Sequence, residues 1–212
     1  MSAAGKGSPC VSREKLRLIL HAQTVLTRRE TRAEMVSLRL ELVVKLAVHH
    51  VRGVEEHFIM YDTLFASRSI MSPEMWDEFE GVLMPDICDA VREHGGMVML
   101  HNCGNGIYIK KQIERMHPVL ISLQHLPPDC ATMAELKEKY GKDITIMGHV
   151  MPGFIYSATE EEIREERRKE SDAYKNGGGF VLASGCEYPA ALDFHMAKVM
   201  VEEARTYGKY EK

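Results

Sequence analysis

The sequence predicts an α/β fold of the (β/α)8-barrel type, incomplete, because it carries about five strand–helix units. Five short apolar segments alternate with amphipathic helical patterns: 57–61, 97–100, 119–123, 144–147 and 180–183. Nearly continuous apolar strands between helices are typical of a parallel sheet covered by helices. Polar residues follow the last apolar position of every segment, whereas the interiors carry almost none. Barrel enzymes place their functional side chains at these carboxyl ends of the strands.

An open, doubly wound sheet is the alternative architecture. Such a sheet often carries a GxGxxG phosphate loop after its first strand. The chain has no such loop there, and its triple glycine at 177–179 precedes a strand segment. The barrel interpretation has a difficulty of its own, because eight units usually take about 250 residues.

The first elements follow from local patterns. Residues 1–12 are small and polar and are expected to be disordered, so that residues 13–212 form a single partial-barrel domain. Residues 12–50 have the spacing of one or two amphipathic helices. After the strand at 57–61, Ser72 and Pro73 begin a helix that extends to about residue 93, and Pro85 can kink it.

The later helices are predicted from their ends. A helix at 107–116 follows the second strand. Two capping-box patterns then begin helices, Thr132 with Glu135 and Thr159 with Glu162. The first of these helices ends at Gly141, and the second ends before the triple glycine. The last helix covers about 193–205.

The amino-acid composition excludes some classes of function. The 212 residues are 45% hydrophobic and 27% charged, with a net charge of -4. This balance is ordinary for a globular protein and excludes a strongly basic nucleic-acid or membrane surface. Apolar stretches fall short of the roughly 20 residues of a membrane span, and no secretory signal is visible. Five widely spaced cysteines favour free thiols in a reducing, cytoplasmic setting over a disulfide framework.

The strand ends suggest a zinc site. His101 and Cys103 are two residues apart and therefore lie on the same face of a strand, and Cys186 follows another strand. His and Cys are zinc ligands, and three of them leave the open position typical of a catalytic site. Each side chain could instead simply be packed at its strand end. Two thiolates make zinc a weak Lewis acid but can activate a thiol substrate, so alkyl transfer to sulfur is the favoured chemistry.

The motifs also carry a family resemblance. The chain has HNCGNG, PPD, KYGKDITIMGHVMPG, SATEEEI, GGGFVLASGCEYP and ARTYGKY between residues 53 and 210. Together they resemble the uroporphyrinogen decarboxylase superfamily, most closely its cobalamin-dependent methyltransferase branch. The resemblance implies a (β/α)8 barrel that moves a methyl group from a methyl-corrinoid protein to a thiol such as coenzyme M, or to a related acceptor.

The resemblance also implies roles for particular residues. His101, Cys103 and Cys186 match the zinc ligands of the family, and Gln124 stands where some members have an oxygen ligand. Asp62 would line the pocket floor, and His149 replaces an asparagine of the family and could act as an acid or a ligand. We assign Asp62 and His149 as catalytic candidates. The remaining candidates, expected to bind substrate, are His125, Glu187 and Asn105.

Some features depart from the family. Its first barrel strands and an arginine-rich motif have no counterpart in residues 1–50, so that the N-terminal helices, a second copy or a missing barrel half would have to cover the open sheet edges. A metal-free decarboxylase acting on a tetrapyrrole is the alternative activity, with Arg68, Lys110 and Lys111 as its few visible cations. A third hypothesis is an inactive, truncated barrel that binds a partner.

Overall fold

A computed structural model of the protein describes residues 58–210, so that the predicted disordered tail and N-terminal helices lie outside the described residues. The strands are β1 (Phe58–Asp62), β2 (Met97–Asn102), β3 (Leu120–Leu123), β4 (Thr145–Val150) and β5 (Phe180–Ser184). They form one parallel sheet in the order β1-β2-β3-β4-β5. Since the order follows the chain without a reversal, it has the connectivity of a barrel segment and lacks the switch point of a doubly wound sheet.

One or two helices follow each strand. In chain order they are α1 (Pro73–Phe79), α2 (Met84–Glu93), α3 (Ile109–Met116), α4 (Met133–Tyr140), α5 (Pro152–Ser157), α6 (Glu160–Tyr174) and α7 (His195–Thr206). The predicted strands and the two helices with capping patterns are confirmed to within a few residues. Thr159 and Glu162 form the complete capping box, whereas Glu135 of the first pattern accepts from the N–H of Ala131. The short helix α5 was not anticipated.

One predicted helix is divided in two. The chain leaves helical geometry between α1 and α2, where the N–H groups of Glu80 and Gly81 both donate to the carbonyl of Trp76. The Trp76 ring lies over Gly81, leaving no space for a side chain there. Pro85, which was expected to kink one long helix, instead lies in the first turn of α2. A missing N–H costs nothing in that position, so proline is placed where it begins a helix.

The two faces of the sheet differ in burial. Side chains such as Val98, Leu100 and Ile146 face the helices and form the main hydrophobic core. The opposite face corresponds to a barrel interior, and it carries Phe58, Met60, Met97 and Val181, which are 40–48% exposed. No helix within residues 58–210 is long and apolar enough to cross a membrane.

Candidate metal centre

Three predicted ligands from distant parts of the chain meet at the carboxyl edge of the sheet. His101, Cys103 and Cys186 each offer one ligand atom, and these three atoms all lie within 4.8 Å of one another. All three residues are partly buried. Two of them lie at the end of β2 and one in the loop after β5, so two strands, β3 and β4, lie between them in the sheet. Curvature of the sheet brings the loops after β2 and β5 together, and the sequence pattern does not predict this curvature.

His101 is held from the neighbouring strand. It pairs in register with Ser122 of β3, and its Nδ1 lies 3.1 Å from the Ser122 hydroxyl oxygen. The backbone carbonyl of His101 accepts from both the N–H and the hydroxyl of Thr63, at 2.8 and 2.9 Å. The Ser122 contact engages Nδ1, so Nε2 is the ring nitrogen that could bind a metal.

Cys103 is positioned by its buried neighbour Asn102. The Asn102 amide donates to the carbonyls of Thr63 and Ala66 at 2.8 and 3.2 Å, and its oxygen accepts from the N–H of Gly104 at 2.9 Å. A Cβ on Gly104 would lie 2.3 Å from the Ser67 hydroxyl oxygen, so only glycine allows this close approach. These contacts join the loops after β1 and β2 on either side of Cys103 in the chain.

We expect Asn102→Ala to lower the free energy of unfolding by about 3 kcal/mol, because the Gly104 N–H loses its acceptor and the carbonyls of Thr63 and Ala66 each lose one of their two donors. Urea unfolding followed by circular dichroism measures the change. Asn176→Ala, the same substitution at an exposed loop position, is the matched control and should cost less than about 0.5 kcal/mol. Equal stability of the two variants would show that the Asn102 contacts do not hold the loop.

Gly185 brings the second thiol into place. A Cβ there would lie 2.9 Å from both Gln124 Cα and the His149 carbonyl oxygen, so the β5 loop passes directly over the ends of β3 and β4. The N–H of Gly185 donates to the Val150 carbonyl at 2.8 Å. The Ser184 hydroxyl donates to the Cys186 carbonyl at 2.5 Å and so fixes the backbone at that residue.

The electrostatics of the cluster suit a divalent cation. Burial, followed by the adjacent Cys186 thiol and then Asp62, raises the pKa of the Cys103 thiol. A dication between the sulfurs would reverse this effect and favour both thiolates. Ligand atoms around tetrahedral zinc lie about 3.5 to 4 Å apart, given Zn–S near 2.3 Å. The three donors therefore fit zinc after at most a small side-chain movement.

The other predicted site residues at this edge of the sheet differ in their exposure and hydrogen bonds. Asp62 ends β1 in register with His101, is exposed, and accepts from the N–H of Leu64 at 3.2 Å. Gln124 and His125 follow β3, and the Gln124 amide nitrogen lies 3.2 Å from His125 Nε2. Asn105 and Glu187 are exposed in the loops that carry Cys103 and Cys186.

His149 is engaged on the helix side of the sheet. Its Nε2 lies 3.1 Å from the Tyr174 hydroxyl of α6, and the two rings meet edge to face. Burial lowers the pKa of its imidazole, which favours the neutral ring. A catalytic role for His149 stays a prediction, and it would require the ring to act while bonded to Tyr174.

A buried ion pair behind the site was not anticipated from the sequence. Arg167 and Glu170 of α6 are both 0% exposed and lie 2.8 Å apart. Arg167 also donates to the Ala183 carbonyl at 2.7 Å, and Glu170 accepts from the N–H of His149 at 2.8 Å. The pair thus joins the ends of β4 and β5. Its signal in the sequence was that both residues fall on the buried stripe that Ile163 begins, at helical spacing.

Comparisons with known proteins agree with this architecture. A family model described as uroporphyrinogen decarboxylase (URO-D) matches residues 22–207. No curated protein matches the chain significantly. The solved structure of a methyltransferase from Methanosarcina mazei is similar, with a TM-score of 0.65 and 19% sequence identity. That match covers 83% of this chain and 49% of the other, so the chain spans about half the length of that structure.

The family model covers most of the sequence, and the solved structure has the same fold at low identity. The predicted α/β fold of the partial-barrel type and the predicted superfamily resemblance are both confirmed. The chain belongs to the uroporphyrinogen decarboxylase (URO-D) family.

Proposed function

We propose that this protein is a zinc-dependent methyltransferase of the URO-D family, moving a methyl group from a methyl-corrinoid protein to a thiol or a related acceptor. The observation that carries the proposal is the convergence of His101, Cys103 and Cys186 within 4.8 Å. The similarity to a solved methyltransferase supports the fold on which such a site is built.

Each predicted site residue would have its own role in this reaction. His101, Cys103 and Cys186 would hold the ion, and Gln124 is the predicted candidate for a further oxygen ligand. Zinc, when bound, would lower the pKa of a thiol acceptor and keep it nucleophilic. Asp62, which ends the strand beside His101, would line the acceptor pocket with its exposed carboxylate. His125, Asn105 and Glu187 would contact the acceptor from the surrounding loops.

The methyl donor would approach from the edge of the sheet that carries the ligands. The segments after β1, β4 and β5 carry exposed aromatic side chains: Phe65 in a loop, Tyr156 on the short helix α5, and Phe194, which is 75% exposed, just before α7. Exposed aromatic side chains around a polar centre are typical of a surface that binds a large partner. A protein that carries a bulky corrinoid is such a partner.

The metal-free decarboxylase is less well supported by the surroundings of its predicted cations. Lys111 forms an ion pair with Asp77, and Lys110 lies 3.8 Å from Glu114. Arg68 is exposed and packs its aliphatic stem beside Gly106. Two of the three cations therefore already have carboxylate partners in the chain, which makes them less available to substrate carboxylates.

The purified protein should contain one zinc ion per chain, and zinc-loaded protein should accelerate methyl transfer from methylcobalamin to a small thiol. Inductively coupled plasma mass spectrometry measures the metal, and the loss of methylcobalamin absorbance measures the transfer. Removal of zinc by a chelator should abolish the acceleration, and added zinc should restore it. If the exposed aromatic side chains bind the donor, a methyl-corrinoid protein should saturate the reaction at lower concentration than free methylcobalamin.

Two results would contradict the proposal in different ways. A purified protein that contains no stoichiometric zinc would contradict the proposed metal site. If zinc-loaded protein does not accelerate the reaction of methylcobalamin with the thiol, the proposed methyl-transfer activity is contradicted and the proposed metal site is not.

A further inference from the structure

Ser122 is a polar residue in an otherwise apolar strand. All four residues of β3 are buried, and Ser122 is 4% exposed. Its register neighbours on the two adjacent strands are His101 and Met147, so its side chain lies on the inner face of the sheet. A buried hydroxyl is costly without a hydrogen-bond partner, and here the partner is His101 Nδ1 at 3.1 Å.

This contact allows two arrangements of protons. If the serine hydroxyl donates to Nδ1, the neutral ring carries its proton on Nε2 and offers no lone pair to a metal there. If Nδ1–H donates to the serine oxygen, Nε2 has the free lone pair. Only the second arrangement makes His101 a ligand through the nitrogen that the serine leaves open.

We propose that Ser122 is a positioning residue that holds the His101 imidazole in the Nδ1–H tautomer, with Nε2 turned toward Cys103 and Cys186. The inference rests on the proposed metal site and adds a residue to it. Partners of this kind orient ligand histidines in many metal sites. Ser122 differs from the common carboxylate partner in carrying no charge.

The neutral hydroxyl suits this particular set of ligands. Two thiolates already balance the charge of a divalent cation, and Asp62 lies in register with His101 on the other side, so a carboxylate at position 122 would add further negative charge to a partly buried site. The hydroxyl orients the ring without adding that charge.

The test compares Ser122→Ala, Ser122→Thr and Ser171→Ala. Ser171 is a buried serine on α6, 2% exposed, and its alanine variant controls for the loss of a buried hydroxyl elsewhere. Competition with a chromogenic chelator measures zinc affinity, and we expect Ser122→Ala to bind zinc about 10- to 100-fold more weakly. Ser122→Thr, which keeps the hydroxyl, and Ser171→Ala should bind zinc as the wild type does. Thermal unfolding of each variant verifies that it folds.

A second measurement does not depend on zinc. Nitrogen-15 NMR of the metal-free protein distinguishes the two tautomers of His101, and the wild type should show the Nδ1–H form, whereas Ser122→Ala should lose that preference. Wild-type protein in the Nε2–H form would overturn the inference, whether or not zinc binds. Equal zinc affinity of wild type and Ser122→Ala would also overturn it while leaving the proposed function in place. Absence of zinc binding by the wild type would instead defeat the proposed function.

Discussion

Cys186→Ser should lower zinc affinity by more than about 100-fold, a larger effect than is usual for residues that only orient a ligand. The substitution removes one of two thiolates and leaves a hydroxyl that is not ionised at neutral pH. Chelator competition measures the affinity, and the thiolate-to-metal absorption of the cobalt-substituted protein should fall by about half, because one of two sulfurs remains. Methyl transfer should be lost together with the metal.

Cys130→Ser is the matched control. Cys130 is 5% exposed and packs in the main hydrophobic core, outside the three-ligand group. The Cys130→Ser variant should bind zinc as tightly as the wild type. If Cys186→Ser and Cys130→Ser retain zinc equally, the metal is held elsewhere and the proposed mechanism has no basis.

Arg167→Met should lower the free energy of unfolding by about 3–5 kcal/mol, because it leaves the Glu170 carboxylate buried without its cation. This is a large share of the roughly 5–15 kcal/mol that stabilises a typical domain. Lys169→Ala, in an exposed pair on the same helix, should cost less than about 0.5 kcal/mol. Denaturant unfolding measures both variants.

The pH dependence of the Arg167→Met variant distinguishes a lost charge from lost packing. Burial raises the pKa of Glu170, and Arg167 opposes that rise. Without Arg167, the folded-state pKa lies still further above that of the unfolded chain. Stability is then greatest at low pH, where Glu170 is protonated in both states, and falls as pH rises toward the folded-state pKa. Because the wild-type pKa of Glu170 is already raised to about 8, the deficit relative to wild type should grow only above that pH, so it should be larger at about pH 9.5 than at about pH 7. A deficit independent of pH would indicate that packing alone was lost.

The double variant Arg167→Met with Glu170→Leu isolates the interaction itself. Replacement of a buried ion pair by apolar residues is often close to neutral, so the double variant should be more stable than Arg167→Met alone. The N–H of His149 loses its acceptor in this variant, so recovery is expected to be incomplete. A double variant no more stable than the single one would show that Arg167 acts through its bond to the Ala183 carbonyl.

The sequence by itself determined the strands, most helices and the identity of the three soft donors. Apolar runs and local caps carry this information because it depends on neighbours along the chain, as at Ser72 and at the Thr159–Glu162 box. The break between α1 and α2 was missed because it depends on Trp76 lying over Gly81. Local periodicity does not record where an indole ring will pack.

Tertiary structure alone decided which strand ends meet. The 4.8 Å convergence of His101, Cys103 and Cys186 depends on sheet curvature and on the close passage of the β5 loop at Gly185. The Ser122 contact to His101 and the buried Arg167–Glu170 pair depend likewise on register and on helix docking. These contacts join residues distant in sequence, so their free energy comes from the packed fold and leaves little trace in any local pattern.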